Sequence, residues 1–161
     1  MKSLLFVALT QLTCSLAWGI ETLSYRLLTK VDNVEIRSYS EHLLATVKVD
    51  SGFSRAGYSA FGDLFNYISG NNQEKQKIAM TAPVIQSPTE KGWAVSFVMP
   101  ELLLAQGMPE PQSNQVFQEK VESRLMAAIQ YSGSWRESKF IKHKEILLKT
   151  IKKTEYQICG P

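Results

Sequence analysis

The sequence is poor in the residues that build covalent frameworks and metal centres. Its 161 residues include two cysteines and two histidines. Two cysteines make no disulfide framework, and two histidines make no multi-histidine metal site. There is no Gly-x-Ser-x-Gly elbow, no glycine-rich phosphate loop and no paired-cysteine redox motif. Charge of one sign is also scarce. The formal net charge is +3, too small to indicate a nucleic-acid binder. No apolar run reaches the roughly 20 residues of a membrane span. What remains is ordinary: 44% hydrophobic and 20% charged residues, near globular averages. The length suits one domain with its own buried core.

Residues 1–19 read separately. Lys2 is their only charge, and an apolar stretch runs from Leu4 to Leu16, interrupted by Thr10, Gln11 and Thr13. Small residues follow at Ala17 and Gly19. This is the pattern of a secretory signal peptide, with cleavage expected after Ala17 or, preferably, Gly19. A buried N-terminal helix or an uncleaved anchor would use the same stretch. Gln11, Leu12 and Thr13 are poor company for lipidation of Cys14. The expected mature chain, 20–161, is exported to a periplasmic or extracellular space without stable membrane insertion. It keeps only Cys159, so packing rather than an internal disulfide must hold it together.

Val34 to Tyr39 is strand-like. Leu43, Ala45, Val47 and Val49 alternate with Leu44, Thr46, Lys48 and Asp50, which predicts a half-buried strand. From Phe53 to Ile68 the period turns helical, with Phe53, Gly57, Ala60, Leu64 and Ile68 on one face. Gly70-Asn71-Asn72 ends that helix. Lys77 to Gln86 and Trp93 to Met99 are the next strands, with Pro83 hinting at an edge or bulge. Pro100, Gly107, Pro109 and Pro111 mark a connector over 100–114. Val116 to Val121 and Leu125 to Ser132 then predict strands, 136–153 a helix, and Tyr156 to Cys159 an extended piece. The helix-and-strand order repeats weakly, as β-β-α-β-β followed by a copy that lacks its last strand. The reading is α+β with a largely antiparallel sheet.

Tyr58, Phe61 and Phe65 form a second stripe on the flank of the first helix, with Gly62 beside them. A mid-helix glycine costs about 1 kcal/mol relative to alanine. It is tolerated where something must approach the backbone. Aromatic rings beside bare helix make a platform for a flat apolar ligand, and Arg55, one turn earlier, would meet an acidic group at its edge. The plainer reading is that the rings pack against a sheet and Gly62 relieves crowding. The second helix carries seven lysines and arginines against Glu137 and Glu145, a polarity that attracts anions or simply solvates a helix face. His42 and His143 are far apart, so neither belongs to a metal cluster. Either alone could serve as one axial ligand to a haem iron, though a lone histidine is more often ordinary surface or core. Met80, Met99, Met108 and Met126 read first as packing.

Several of these stretches together resemble the SOUL haem-binding protein family. They are Val34-Glu35-Ile36-Arg37-Ser38-Tyr39, Ala45-Thr46-Val47 and Phe65-Asn66-Tyr67-Ile68-Ser69-Gly70-Asn71-Asn72. Lys77-Ile78-Ala79-Met80-Thr81-Ala82-Pro83-Val84, Ser96-Phe97-Val98-Met99-Pro100, Pro109-Glu110-Pro111 and Tyr131-Ser132-Gly133 complete the set. The similarity spans roughly residues 25 to 161. It implies a distorted antiparallel β-barrel built from two β-β-α-β-β pseudo-repeats, and non-covalent binding of haem or another tetrapyrrole. It also implies an apolar groove along the first helix, which falls on Tyr58, Phe61 and Phe65. There are departures. Basic residues that relatives carry on this helix appear as Tyr58 and Asn66, leaving Arg55 as the nearby cation. The position of a proposed iron-ligating histidine falls on Ser38. The family's closing segment is expected beyond Gly160-Pro161, so the second repeat reads as missing its last strand.

The expectation is an exported tetrapyrrole-binding protein, not an enzyme, with Arg55, Tyr58, Phe61, Gly62 and Phe65 lining the ligand site and no protein metal ligand. Two alternatives stay open. One is a non-haem effector-binding or protein-interaction module on the same scaffold. The other is an enzyme acting on a small hydrophobic substrate, which would need Glu35 or Glu41 with a raised pKa at the site.

Overall fold

The computed structural model describes residues 19–159; residues 1–18 of the expected leader, with the alternative cleavage site after Ala17, lie outside them, and the preferred site after Gly19 falls at their edge. The elements are β1 (Glu21–Thr22), β2 (Tyr25–Val31), β3 (Val34–Tyr39), β4 (His42–Val49), α1 (Phe53–Ile68), β5 (Thr81–Ala82), β6 (Val84–Thr89), β7 (Gly92–Val98), α2 (Leu103–Gln106), β8 (Val116–Val121), β9 (Arg124–Ile129) and α3 (Glu137–Ile151). One antiparallel sheet has the order β2-β3-β9 and another β6-β7-β4-β8, while β1 pairs in parallel with β5.

The two larger sheets share one backbone ribbon. β3 pairs with β9 from Val34↔Ile129 to Tyr39↔Arg124. β4 pairs with β8 from His42↔Val121 to Val47↔Val116. Between the ladders, Ser40-Glu41 on one side and Glu122-Ser123 on the other are skipped, so register is neither gained nor lost. A strand's side chains alternate between faces, so an even skip keeps parity. α3 covers the even-numbered Val34 and Ile36 through Ile151 and Leu147. α1 covers the odd-numbered Ala45 and Val47. The two helices therefore lie on opposite faces of the ribbon.

This corrects two expectations. The strands do not close into a barrel among the described residues: the ladder breaks at the elbow, leaving β2 and β9 as edges of one sheet and β6 and β8 of the other. β4 is also not half-buried. Leu44 packs with Val98 and Val121 on the face away from α1, and the Thr46 and Ser96 hydroxyls share a 2.8 Å hydrogen bond there. The predicted strand over 77–86 is instead a loop, then β5 and β6, divided at Pro83. A short helix, α2, stands in the predicted connector. Residues 156–159 are extended without a ladder partner among the described residues.

The α1 face that enters the core is Phe53, Ala56, Ala60, Leu64, Tyr67 and Ile68. Gly57 is not on it; Ala56 and Tyr67 take that place. Trp93, Val95, Phe97 and Met99 of the β7 side meet this face as predicted. α1 ends in the pattern that a left-handed glycine allows. Gly70 has φ +109, its N–H donates to the Tyr67 carbonyl, and the Asn71 N–H donates to the Asn66 carbonyl.

Just beyond lies a buried polar knot. Asn72 is fully buried. Its Nδ2 donates to the Tyr67 and Gln76 carbonyls at 3.1 and 2.7 Å, and its Oδ1 accepts from the Gln76 N–H at 2.9 Å. The Tyr67 hydroxyl donates to the Pro109 carbonyl at 2.7 Å, as does Gln118 Nε2 at 2.7 Å. The knot ties the end of α1 to the 100–114 connector with its polar atoms paired, the condition for burying them.

Removing the Asn72 side chain strands two carbonyls and an N–H. Asn72→Ala is expected to cost about 3 kcal/mol in urea unfolding, and a loss under about 1 kcal/mol would contradict the knot's role. Burial also pushes the Tyr67 hydroxyl above its ordinary pKa of 10.0. The folded state then keeps that proton at pH values where the unfolded chain has lost it. Its stabilisation is complete below about pH 10 and fades as pH rises through the folded value. Tyr67→Phe should flatten the alkaline limb of the unfolding midpoint; an unchanged limb would assign the loss to other groups.

Candidate functional site

Helical geometry places residues three and four apart on one face. On α1 this lines up Tyr58, Phe61, Gly62 and Phe65 along the flank beside the core stripe. The three rings are exposed: Tyr58 by 90%, Phe61 by 44% and Phe65 by 47%. Phe61 and Phe65 lie stacked, with centroids 5.6 Å apart and planes 12° from parallel. Phe61 is anchored edge-on to buried Phe97 at 5.7 Å, so it is part platform and part core. Val84 of edge strand β6 is 51% exposed and pairs with Phe97, which puts the two side chains on one face of the sheet.

Gly62 does not relieve crowding. A Cβ placed there meets no atom within 4 Å. The helix backbone at this point is bare and open, flanked by the aromatic rings. Arg55 is exposed and makes no ion pair among the described residues. All five sequence-predicted residues thus share one surface of α1. That surface is an open face; the two cavities described in the molecule lie elsewhere, by His42 and by Leu103.

The other candidates fall apart from it. Glu35 lies on the β2-β3-β9 sheet, held at 2.7 Å by Arg37, whose guanidinium caps the Tyr25 ring at 4.1 Å. The hydrogen bond from Arg37 keeps the Glu35 carboxyl below the usual range, the opposite of what a general acid at neutral pH needs. Glu41 pairs with Lys120 at 2.9 Å. His143 stacks on Tyr131 at 3.9 Å, with Nδ1 2.7 Å from the Lys139 carbonyl. His42 is buried at the start of β4, its Nδ1 donating to the Ser40 carbonyl at 2.8 Å. Ser38 sits mid-sheet, paired with Arg26 and Leu125. Neither histidine is on α1.

Across residues 20–159 the sequence matches the family model described as SOUL heme-binding protein. The chain belongs to that family. No curated protein matches it. SOUL-family membership carries haem or tetrapyrrole binding as the general activity. The residues on α1 fit the flat face of such a ligand, with exposed rings, bare backbone and one free cation. They offer no nitrogen or sulfur ligand to iron. Among the described residues no group of histidine, cysteine, aspartate and glutamate is arranged to hold a metal ion, and no helix is long and apolar enough to cross a membrane.

The open space at Gly62 has a direct consequence for stability. Gly62→Ala should raise stability by about 1 kcal/mol, read as a higher urea midpoint. A lowered midpoint would mean that a neighbour does occupy this space.

Proposed function

We propose that this SOUL-family protein is exported and binds a tetrapyrrole reversibly on the exposed aromatic flank of α1. The observation that carries this reading is three exposed aromatic rings beside an uncrowded mid-helix glycine. Large apolar side chains clustered on a surface mark an interaction site, and a helix that forgoes a side chain there lets a flat ligand approach the backbone. Contact is burial and dispersion against Tyr58, Phe61 and Phe65. Arg55 at the edge pairs with a ligand carboxylate. Iron, where present, would draw no ligand from α1, so haem and iron-free porphyrin should bind alike. Export rests on the Lys2-to-Gly19 leader pattern, and the family's two-half architecture on the two strands that precede each of α1 and α3.

The same exposed stripe also suits a protein-interaction module, because it is a face and not an enclosed cavity. One experiment separates the two. Purified 20–161 is titrated with haem and with iron-free protoporphyrin, following absorbance and tryptophan quenching. Saturable binding of both with similar affinity is expected. Phe61→Ala combined with Phe65→Ala should weaken it at least about tenfold, from lost apolar burial, while His42→Ala should leave it nearly unchanged. Equal affinity of wild type and the double variant would remove the α1 platform. Binding of neither pigment would favour the interaction module.

A further inference from the structure

At the elbow of the ribbon, where the ladder skips Ser40-Glu41, a cavity of about 70 Å³ opens beside β1, β5 and the start of α2. Three of the polar residues around it, His42, Thr81 and Glu101, have a donor already spent inside the protein. His42 is 5% exposed, and its Nδ1 faces the Ser40 carbonyl. A carbonyl only accepts, so Nδ1 carries a proton, and in the neutral ring Nε2 then keeps its lone pair. Nε2 has no hydrogen-bond partner among the described residues. The Thr81 hydroxyl donates to the Val98 carbonyl at 2.5 Å, leaving its oxygen as an acceptor. The Glu101 N–H donates to Glu21 Oε1 at 2.7 Å, leaving Oε2 free.

The charge is equally one-sided. Glu21, Glu41 and Glu101 all line the cavity. Only Glu41 has an ion-pair partner among the described residues, Lys120. These groups do not converge on a metal ion. A site of spread acceptors and surplus negative charge instead suits a cation that carries its own N–H donors. Leu43, Met99 and Leu104 supply an apolar wall against which a short alkyl chain would lie.

We propose that the elbow cavity binds a small primary alkylammonium ion, its N–H groups donating to His42 Nε2 and to the carboxylates of Glu21 and Glu101. This site is separate from the α1 platform, so either stands if the other fails. The full chain has two histidines, so its imidazole C–H signals are simple to follow by NMR. At about pH 8, where alkylamines remain cationic, n-butylammonium chloride should move the His42 signals saturably and leave those of His143 in place. Tetramethylammonium chloride, with equal charge and no N–H donor, should move neither. By calorimetry, Glu21→Gln with Glu101→Gln should weaken n-butylammonium binding roughly tenfold. His42→Asn, which keeps a donor near the Nδ1 position and loses the Nε2 acceptor, should also weaken it without lowering the melting temperature. The proposal is overturned if no signal saturates, if both histidines shift together, if tetramethylammonium acts equally, or if the carboxylate variant binds as wild type.

Discussion

The structure depends on one register. From Val34 to Val47 on one side and Ile129 to Val116 on the other, two long strands pair in step through a two-residue break on each side. A slip of one residue would turn every buried side chain to the opposite face. Because the break keeps parity, Val34 and Ile36 face α3 while Ala45 and Val47 face α1. The helices end up on opposite sides of one ribbon. The break also opens the elbow where His42 and its neighbours gather.

What α1 presents to solvent follows from what it must bury. Ala56, Ala60 and Leu64 let the helix lie close to β4 and β7, while Tyr67 reaches into the polar knot. At its start, Phe53 packs against Trp93, Trp135 and Phe140 with centroids 4.8 to 5.3 Å apart. That cluster joins the first residues of α1 to α3, which otherwise packs on the other sheet. On the flank, Phe61 is held between Phe65 and buried Phe97, and a ring so held loses little entropy when a ligand covers it.

Much of this was legible in the sequence, for identifiable reasons. The period of 3.6 over 53–68 and the alternation over 93–99 gave α1 and the core face of β7, because long amphipathic patterns have few competing readings. The Tyr58, Phe61, Phe65 stripe was visible by the same spacing. The buried second face of β4 was not, since Leu44 and Thr46 amid polar Lys48 and Asp50 look like a solvent face until Val98 and Val121 are seen to cover them. β2 was missed because its residues are exposed almost throughout and show no burial pattern. The family-like stretch Tyr67 to Asn72 and the Pro109-Glu110-Pro111 run proved to be one thing. The Pro109 carbonyl accepts from Tyr67, the Glu110 carbonyl accepts from the Gln73 N–H at 2.8 Å, and Pro111 bridges to Asn72. Two motifs about 40 residues apart meet in a buried knot, so their specificity is architectural. The elbow cavity had no sequence signal, because His42, Thr81 and Glu101 meet only through the sheet.

The proposed binding mode puts the pigment on α1 against Gly62. A porphyrin's ring current shifts the resonances of nuclei beneath its plane, so backbone NMR with iron-free protoporphyrin tests that position directly. The largest upfield shifts should fall on the amides of Tyr58, Phe61, Gly62 and Phe65, with β2 and β9 unmoved. Saturable shifts centred instead on Tyr25, Leu27 and Met126, the exposed apolar residues of the other sheet, would contradict it.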